Sequence, residues 1–280
     1  MVEMDEFVST QDVARLAGVG PTAVKRWTDA GLLGCVRTAG GHRRFSRREV
    51  EQFLGLHSTE SEPPAREPWV GALLEGDDPR SLEALLLSER ARTGAWYRVA
   101  AIVGRALAEM GRLWTTGAVT IFEEHQASER LARALHRITD GLPVATQAPR
   151  ALLACAEDDD HTLGLSLTEL VLREAGWSSN WAGRRIPFAE LGPALARSRA
   201  GLLAVSASAQ SSDAVALRAQ AIELGRIARV HGAALALGGT GAWPDRPRHG
   251  VRFTDFEAFQ RWANAERARL GQGEAEQPGH

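Results

Sequence analysis

Between residues 149 and 270, five short apolar runs alternate with amphipathic segments, and no other feature of the 280-residue chain constrains its fold as tightly. RALLACA, WSSNWAG, GLLAVSAS, AALALGG and GVRFT read as strands bounded by polar or glycine-rich loops. LSLTELVLREAG, FAELGPALARS, SDAVALRAQAIELGRIARV and DFEAFQRWANAERARL carry apolar residues at helical spacing. This alternation predicts a doubly wound, five-stranded parallel sheet. Ligands of such sheets bind outside the carboxyl ends of the strands, where strand order reverses. The first loop at those ends holds Asp159, Asp160, His161 and Gly164. The third strand ends in Ser206-Ala207-Ser208, and the fourth in Gly238-Gly239-Thr240-Gly241. A loop histidine can reach a metal while a carboxylate two residues earlier holds its other ring nitrogen. The first loop has no second histidine and no cysteine, which argues against a tetrahedral zinc site. A His–Asp proton shuttle would need a nucleophile, for which Ser206 and Ser208 are the only offers.

The N-terminal block has a different grammar. Thr10 can cap a helix TQDVARLAG that ends at Gly18; a Val19-Gly20 turn leads to Pro21 and a second helix, PTAVKRWTDAG, closing at Gly31. Two short helices joined by a tight turn form a helix-turn-helix pattern. Gly40-Gly41 suits a hairpin, and SRREVEQFLGL reads as a third helix. The whole chain carries a net charge of only −2, so any basic surface must be local. Between residues 10 and 48, Arg15, Lys25 (the only lysine), Arg26, Arg37, Arg43, Arg44, Arg47 and Arg48 face just Asp12 and Asp29. Such a patch is the footprint of phosphate binding.

Domain boundaries follow from composition: a reader over 1–56, a Pro- and Ser-rich linker over 57–68, a helical block over 69–142, the α/β block over 149–270 and a disordered tail over 271–280. Within the second block, 69–75, 80–93, 95–113 and 118–139 read as helices of a four-helix bundle. Trp114 stands at a helix end, and Glu123, Glu124 and His125 lie inside the next helix. On residues alone, Trp114 is core, Glu124 pairs with Arg130 or Arg133, and His125 is on the surface. No apolar run approaches the ~18 residues of a membrane span, and the acidic start lacks a secretory core. A cytoplasmic protein with no membrane partner is expected. Cys35 and Cys155 are too few for a disulfide framework.

ARLAGVGPTAVKRWTDAGLL followed by RTAGGHRRFS closely resembles the winged DNA-binding domain of the MerR superfamily. The resemblance implies Thr22, Lys25 and Arg26 on a recognition helix, Arg43 and Arg44 on the wing, and Trp27 and Phe45 in the core. It implies binding to double-stranded operator DNA as a homodimer or larger oligomer. Asp159-x-His161-x-x-Gly164, with Ser206 and Gly238-Gly239 downstream, resembles the base-off, His-on cobalamin-binding domain. There His161 would be the lower axial cobalt ligand, with Asp159 orienting it and Gly164 giving space behind it. Ser206, Ser208, Gly238 and Gly239 would lie along the slot for the dimethylbenzimidazole tail; Ser208 stands where that family usually has Leu or Thr. Trp114 followed by Glu124-His125 resembles the cap of cobalamin-dependent photoreceptor repressors, where the Trp packs near the adenosyl group and the Glu contacts it.

Taken whole, the resemblance implies a repressor rather than an enzyme. It would sense light through adenosylcobalamin, or another cobalamin, and release its operator by a light-driven change of oligomeric state. One departure bears on the signal. Thr115 stands where light-sensing members place a histidine on the upper cobalt face, and a hydroxyl is a poor replacement for imidazole. Either His125 or water takes that role, or the scaffold answers another signal; related scaffolds hold a bilin such as biliverdin beside cobalamin or instead of it. An alternative from another class is a cobalamin-dependent methyl-carrier component of an enzyme. The DNA reader and the lack of a substrate barrel argue against it.

Overall fold

The computed structural model describes residues 7–17, 21–29, 33–38, 40–53, 68–75 and 78–275. They fall into two compact units, the first formed by the described residues up to 75 with 106–128, the second by 78–105 with 129–275.

In the first unit, β1 (Phe7–Ser9), α1 (Thr10–Leu16), α2 (Pro21–Asp29), β2 (Val36–Arg37), β3 (Arg43–Ser46) and α3 (Arg47–Phe53) follow in order. The three strands form an antiparallel sheet in the order β1-β3-β2. Val8, Val13, Ala14, Val24, Leu33, Phe45 and Val50 make its core, with Trp27, Cys35 and Phe53 packed against them. β1 was not expected: three residues are too few to show a period. Its last residue also corrects the cap. Ser9, not Thr10, is the N-cap of α1. Its hydroxyl accepts the Asp12 backbone N–H, and the Asp12 carboxylate accepts the Ser9 N–H, a reciprocal capping box. The expected hairpin is present: Gly41 N–H donates to Thr38 O, and Gly41 sits at φ 77°, a left-handed turn position. Gly18, the Val19-Gly20 turn, Gly31, residues 54–56 of the third helix and the linker up to residue 67 lie outside the described residues. Pro68, expected as the end of the linker, is instead the first residue of α4 (Pro68–Glu75), a position where its missing N–H costs nothing.

Three further helices follow: α5 (Pro79–Thr93), α6 (Trp96–Thr115) and α7 (Ile121–Gly141). α7 starts three residues later than its apolar spacing suggests. Thr120 and Glu123 form a capping box in which the Glu123 carboxylate accepts both the backbone N–H and the hydroxyl of Thr120 at 2.8 Å. Glu123 is thereby explained as a helix start.

The second unit holds β4 (Arg150–Cys155), α8 (Leu163–Glu174), β5 (Ser178–Gly183), α9 (Phe188–Ser198), β6 (Ala200–Ser206), α10 (Ala214–Val230), β7 (Ala234–Gly238), β8 (Val251–Arg252) and α11 (Phe256–Ala275). All strand pairs are parallel, in the order β5-β4-β6-β7-β8, the doubly wound sheet read from the sequence. Successive strand residues alternate between faces. Leu152 and Ala154 of β4 join Leu203 and Val205 of β6 in a core closed by α9 and α10. Ala151, Leu153 and Cys155 are buried on the opposite face. Burial on both faces is why these strands read as unbroken apolar runs. α11 continues through Ala275, five residues into the segment expected to be disordered. Propagation adds one hydrogen bond per residue to a helix already nucleated, which outweighs the poor propensity of Gly271 and Gly273.

Glu174 at the end of α8 ties together the end of α5, the start of α6 and α11. Its carboxylate accepts Arg90 at 2.8 Å, the Trp96 backbone N–H at 2.8 Å and the Gln260 side chain at 3.0 Å.

Candidate functional site

The strand order places its reversal between β4 and β6, where β4 has β5 on one side and β6 on the other. Cys155 pairs in register with Ser206, and Ser206 with Gly238, so the ends of three strands lie side by side at one rim of the sheet. The loops expected to carry chemistry therefore converge at the reversal point.

Asp159 is the centre of this rim. Its side chain is fully buried, and each carboxylate oxygen has two partners. Oδ1 accepts the His161 backbone N–H at 2.9 Å and lies 3.1 Å from His161 Nδ1. Oδ2 accepts the Ser208 backbone N–H at 2.6 Å and the Ser211 hydroxyl at 2.7 Å. Burial alone would push this carboxyl up, but the donors from His161, Ser208 and Ser211 outweigh it and hold it far below the usual carboxylate range. Asp159 is therefore an anion at any physiological pH, and an anion facing Nδ1 favours the tautomer protonated there. That leaves the imidazole lone pair on Nε2. The His161 side chain is 58% exposed, so the ring stands at the surface while its anchor is sealed below. The Ser208 hydroxyl is also 3.2 Å from Nδ1.

Ser206 is buried beneath this loop, and a Cβ added at Gly164 would stand 3.1 Å from its hydroxyl. Gly238 faces open space: an added Cβ would meet nothing within 4 Å. Gly239 has a different reason to be glycine. At φ 87° its Cβ would overlap the Ala207 carbonyl oxygen at 2.1 Å, so the close approach of two loops requires it. Ser211 escaped the sequence reading because its tie to Asp159 spans 52 residues and leaves no local pattern. Cys155, beneath the loop, has its thiol pushed up to about 11 by burial and then by Asp159, which makes it inert. Among the described residues, no cluster of three or more His, Cys, Asp or Glu side chains could hold a bare metal ion. The arrangement instead offers a single buttressed imidazole, beside small residues, to a metal that brings its other ligands with it.

Trp114, Glu124 and His125 fall in the first unit. Trp114 is half-buried, its ring 6.4 Å from that of Phe53, which is in turn 5.2 Å from Trp27. Glu124 has partners close by on its own helix. One oxygen lies 2.6 Å from His125 Nδ1 and the other accepts the Ser128 hydroxyl at 2.6 Å, one helical turn away on the same face; Arg133 pairs with Glu129. The Thr115 hydroxyl is exposed and donates to the Arg112 carbonyl of its own helix.

In the same unit a basic cleft runs between α2 and the hairpin, lined by Thr10, Lys25, Arg37, Gly41, His42 and Arg43. Thr22, Lys25 and Arg44 are exposed; Arg26 belongs to α2, its side chain outside the described ones. Arg43 departs from the expected open wing. Its side chain is 15% exposed and pairs with Asp29 at 2.5 Å.

Residues 7–55 match the family described as a helix-turn-helix domain. This chain carries a helix-turn-helix domain. The likeness to known proteins extends well beyond that domain. Over 216 residues the chain is 26% identical to the HTH-type transcriptional repressor CarA of Myxococcus xanthus, covering 69% of this chain and 74% of CarA. Over 237 residues it is 25% identical to the HTH-type transcriptional repressor CarH of the same organism, covering 71% and 78%. Among solved structures, the monomethylamine corrinoid protein of Methanosarcina barkeri shares the fold, with a TM-score of 0.52 at 13% identity over 71% of this chain and 95% of that one. The helix-turn-helix domain thus precedes helices and a doubly wound sheet of a kind also seen in that protein.

Proposed function

We propose that this chain is a transcriptional repressor that binds operator DNA through its helix-turn-helix domain and takes its signal through a cobalamin. One observation carries the reading: a surface imidazole held by a buried carboxylate at the reversal point of the sheet, in a chain that also carries a DNA reader. The residues fit the group. With Asp159 on Nδ1, His161 would hold the cobalt of such a group through Nε2. Gly164 spares the Ser206 hydroxyl, and open space at Gly238 leaves room for the nucleotide tail. The same buttressed imidazole favours a corrin over a bilin, which needs no axial ligand.

The finer assignments are likewise ours. Residues 1–56 would read DNA with Thr22, Lys25, Arg26 and Arg44; 57–68 would link; 69–142 would serve as the cap, with Trp114, Glu124 and His125 as its cofactor-binding residues; 149–270 would hold the cofactor. When bound, adenosylcobalamin supplies a metal–carbon bond that visible light cleaves. Signalling then runs through differential affinity for two oligomeric states, because losing one of several DNA contacts lowers avidity steeply. The chain itself performs no catalysis in this scheme, and it works in the cytoplasm.

The test is uptake of adenosylcobalamin and hydroxocobalamin by the purified chain, followed by absorption and gel filtration. DNA retardation before and after green light completes it. Uptake lost in His161→Ala, with retardation that changes on illumination, is the expected result. Equal uptake by parent and variant would overturn the cofactor assignment. Retardation that depends on ligand but not on light would overturn light as the signal.

A further inference from the structure

Arg43 and Arg44 are neighbours in β3, so they cannot face the same way. The buried face of that strand is fixed by Phe45, which is fully buried in the core, and by Val8, paired opposite it. Arg44 therefore points out, and it is exposed. Arg43 lies beside Arg37 of β2 in register and turns toward the end of α2. There it donates to Asp29 at 2.5 Å and to the backbone carbonyl of Lys25 at 3.3 Å. Asp29 is the last residue of α2 and Lys25 lies one turn before it, at the helix end where the dipole favours a cation. A planar guanidinium reaches both at once through two nitrogens held in a rigid fork, whereas an ammonium is one compact donor centre without that fixed spacing.

We infer that Arg43 is a positioning residue rather than a phosphate contact: a strut that fixes the distance between wing and recognition helix, so that both reach their grooves in register. This rests on the DNA-binding reading given above. Asp29 belongs to the strut, although it is an acid beside a surface meant for phosphate. The work of contacting the backbone from β3 falls to Arg44.

The two roles make opposite predictions. A phosphate contact survives Arg43→Lys, and its removal lowers the salt slope of binding by about one counterion. A strut does not survive Arg43→Lys. Removing it weakens binding about tenfold without changing the slope, since no phosphate charge is released. Asp29→Asn separates the roles further. Taking an acid away from the interface should raise affinity for DNA by simple charge, whereas loss of the strut lowers it.

The experiment uses the full chain and a fluorescein-labelled duplex from the region upstream of its own reading frame. A scrambled duplex of equal length serves as control, and anisotropy is read across a potassium chloride series. We expect R43K and D29N each to lose about tenfold on the upstream duplex, the double variant to be no worse than either, and all slopes to match the parent. R43K binding like the parent, or D29N binding more tightly, overturns the strut. Failure of the parent to bind any duplex, both alone and with adenosylcobalamin in the dark, would overturn the DNA reading instead. Hydrogen exchange in the last turn of α2 then still tests the strut without DNA. Faster exchange in R43K supports it, and unchanged exchange refutes it.

Discussion

Replacing Asp159 with asparagine keeps the shape of the side chain and removes one acceptor. The parent carboxylate receives two backbone N–H groups, one on each oxygen: His161 at 2.9 Å and Ser208 at 2.6 Å. A carboxamide has a single oxygen, so its NH2 must face one of those N–H groups, and a backbone donor cannot reverse its role. Where the NH2 turns to His161, the ring can answer by moving its proton to Nε2, which removes the lone pair a metal needs. Where it turns to Ser208, the Ser211 hydroxyl can rotate but the amide cannot. One buried N–H left facing a donor costs about 1–3 kcal/mol, and lost charge assistance on the remaining bonds adds about 1 kcal/mol. The expected total of about 2–4 kcal/mol lowers the melting temperature of the α/β region by roughly 5–15 °C. Cobalamin uptake should weaken about 10–100-fold, the usual range for a group that orients a metal-bound histidine. Scanning calorimetry of the apo-protein reads the first effect. The pH dependence has a definite sign. The folded carboxyl is depressed, so its contribution is complete above the unfolded value of about 3.9 and is lost only as pH falls below it. The gap between parent and variant should not shrink until the pH drops below about 4. A variant melting within about 1 °C of the parent at pH 7, or a gap that closes between pH 7 and 5.5, would refute the reasoning.

Other expectations follow from the same geometry. Gly239→Ala forces a Cβ into the Ala207 carbonyl at a left-handed φ and should cost roughly 3 kcal/mol or more; a melting curve like the parent's would show that the loops can separate freely. Glu174→Gln removes the charge shared by Arg90, Trp96 and Gln260; with both ion-pair partners partly exposed we expect about 2 kcal/mol and faster hydrogen exchange at the start of α6, read by mass spectrometry. Cys155, its thiol pushed up to about 11, should resist a disulfide reagent at pH 8 in the folded chain and react at once in denaturant; peptide mapping that finds it labelled under native conditions would contradict its burial.

What could be read from the sequence follows the range of the interactions. The central strands were legible because a parallel sheet covered on both faces is apolar at nearly every position, as ALLAC and GLLAV are; the edge strand SSNWAG was legible only from its place between two helical segments. The Asp159–His161 pair was legible because its partners are two residues apart. The Thr120–Glu123 capping box is equally visible in its spacing. The inward turn of Arg43 could have been found too, from its parity with Phe45 along one strand. Nothing local announces Ser211, whose hydroxyl crosses from another loop, or Glu174, whose partners come from three other parts of the chain. Glycines divide in the same way. Gly238 has empty space to keep, whereas the need for glycine at 239 comes from a carbonyl 32 residues earlier.

Lys25 stands exposed on α2 at the lip of the basic cleft, and the sequence contains no second lysine. Side-chain amine chemistry is therefore confined to one spot, in the helix assigned to reading bases. A single acylating reagent would footprint that helix with no competing side-chain signal, and protection by a duplex could be followed as one mass shift. The same solitude makes the site vulnerable: neutralising one ammonium, by reagent or by an acetylating enzyme, would erase all the lysine charge this chain can bring to a phosphate.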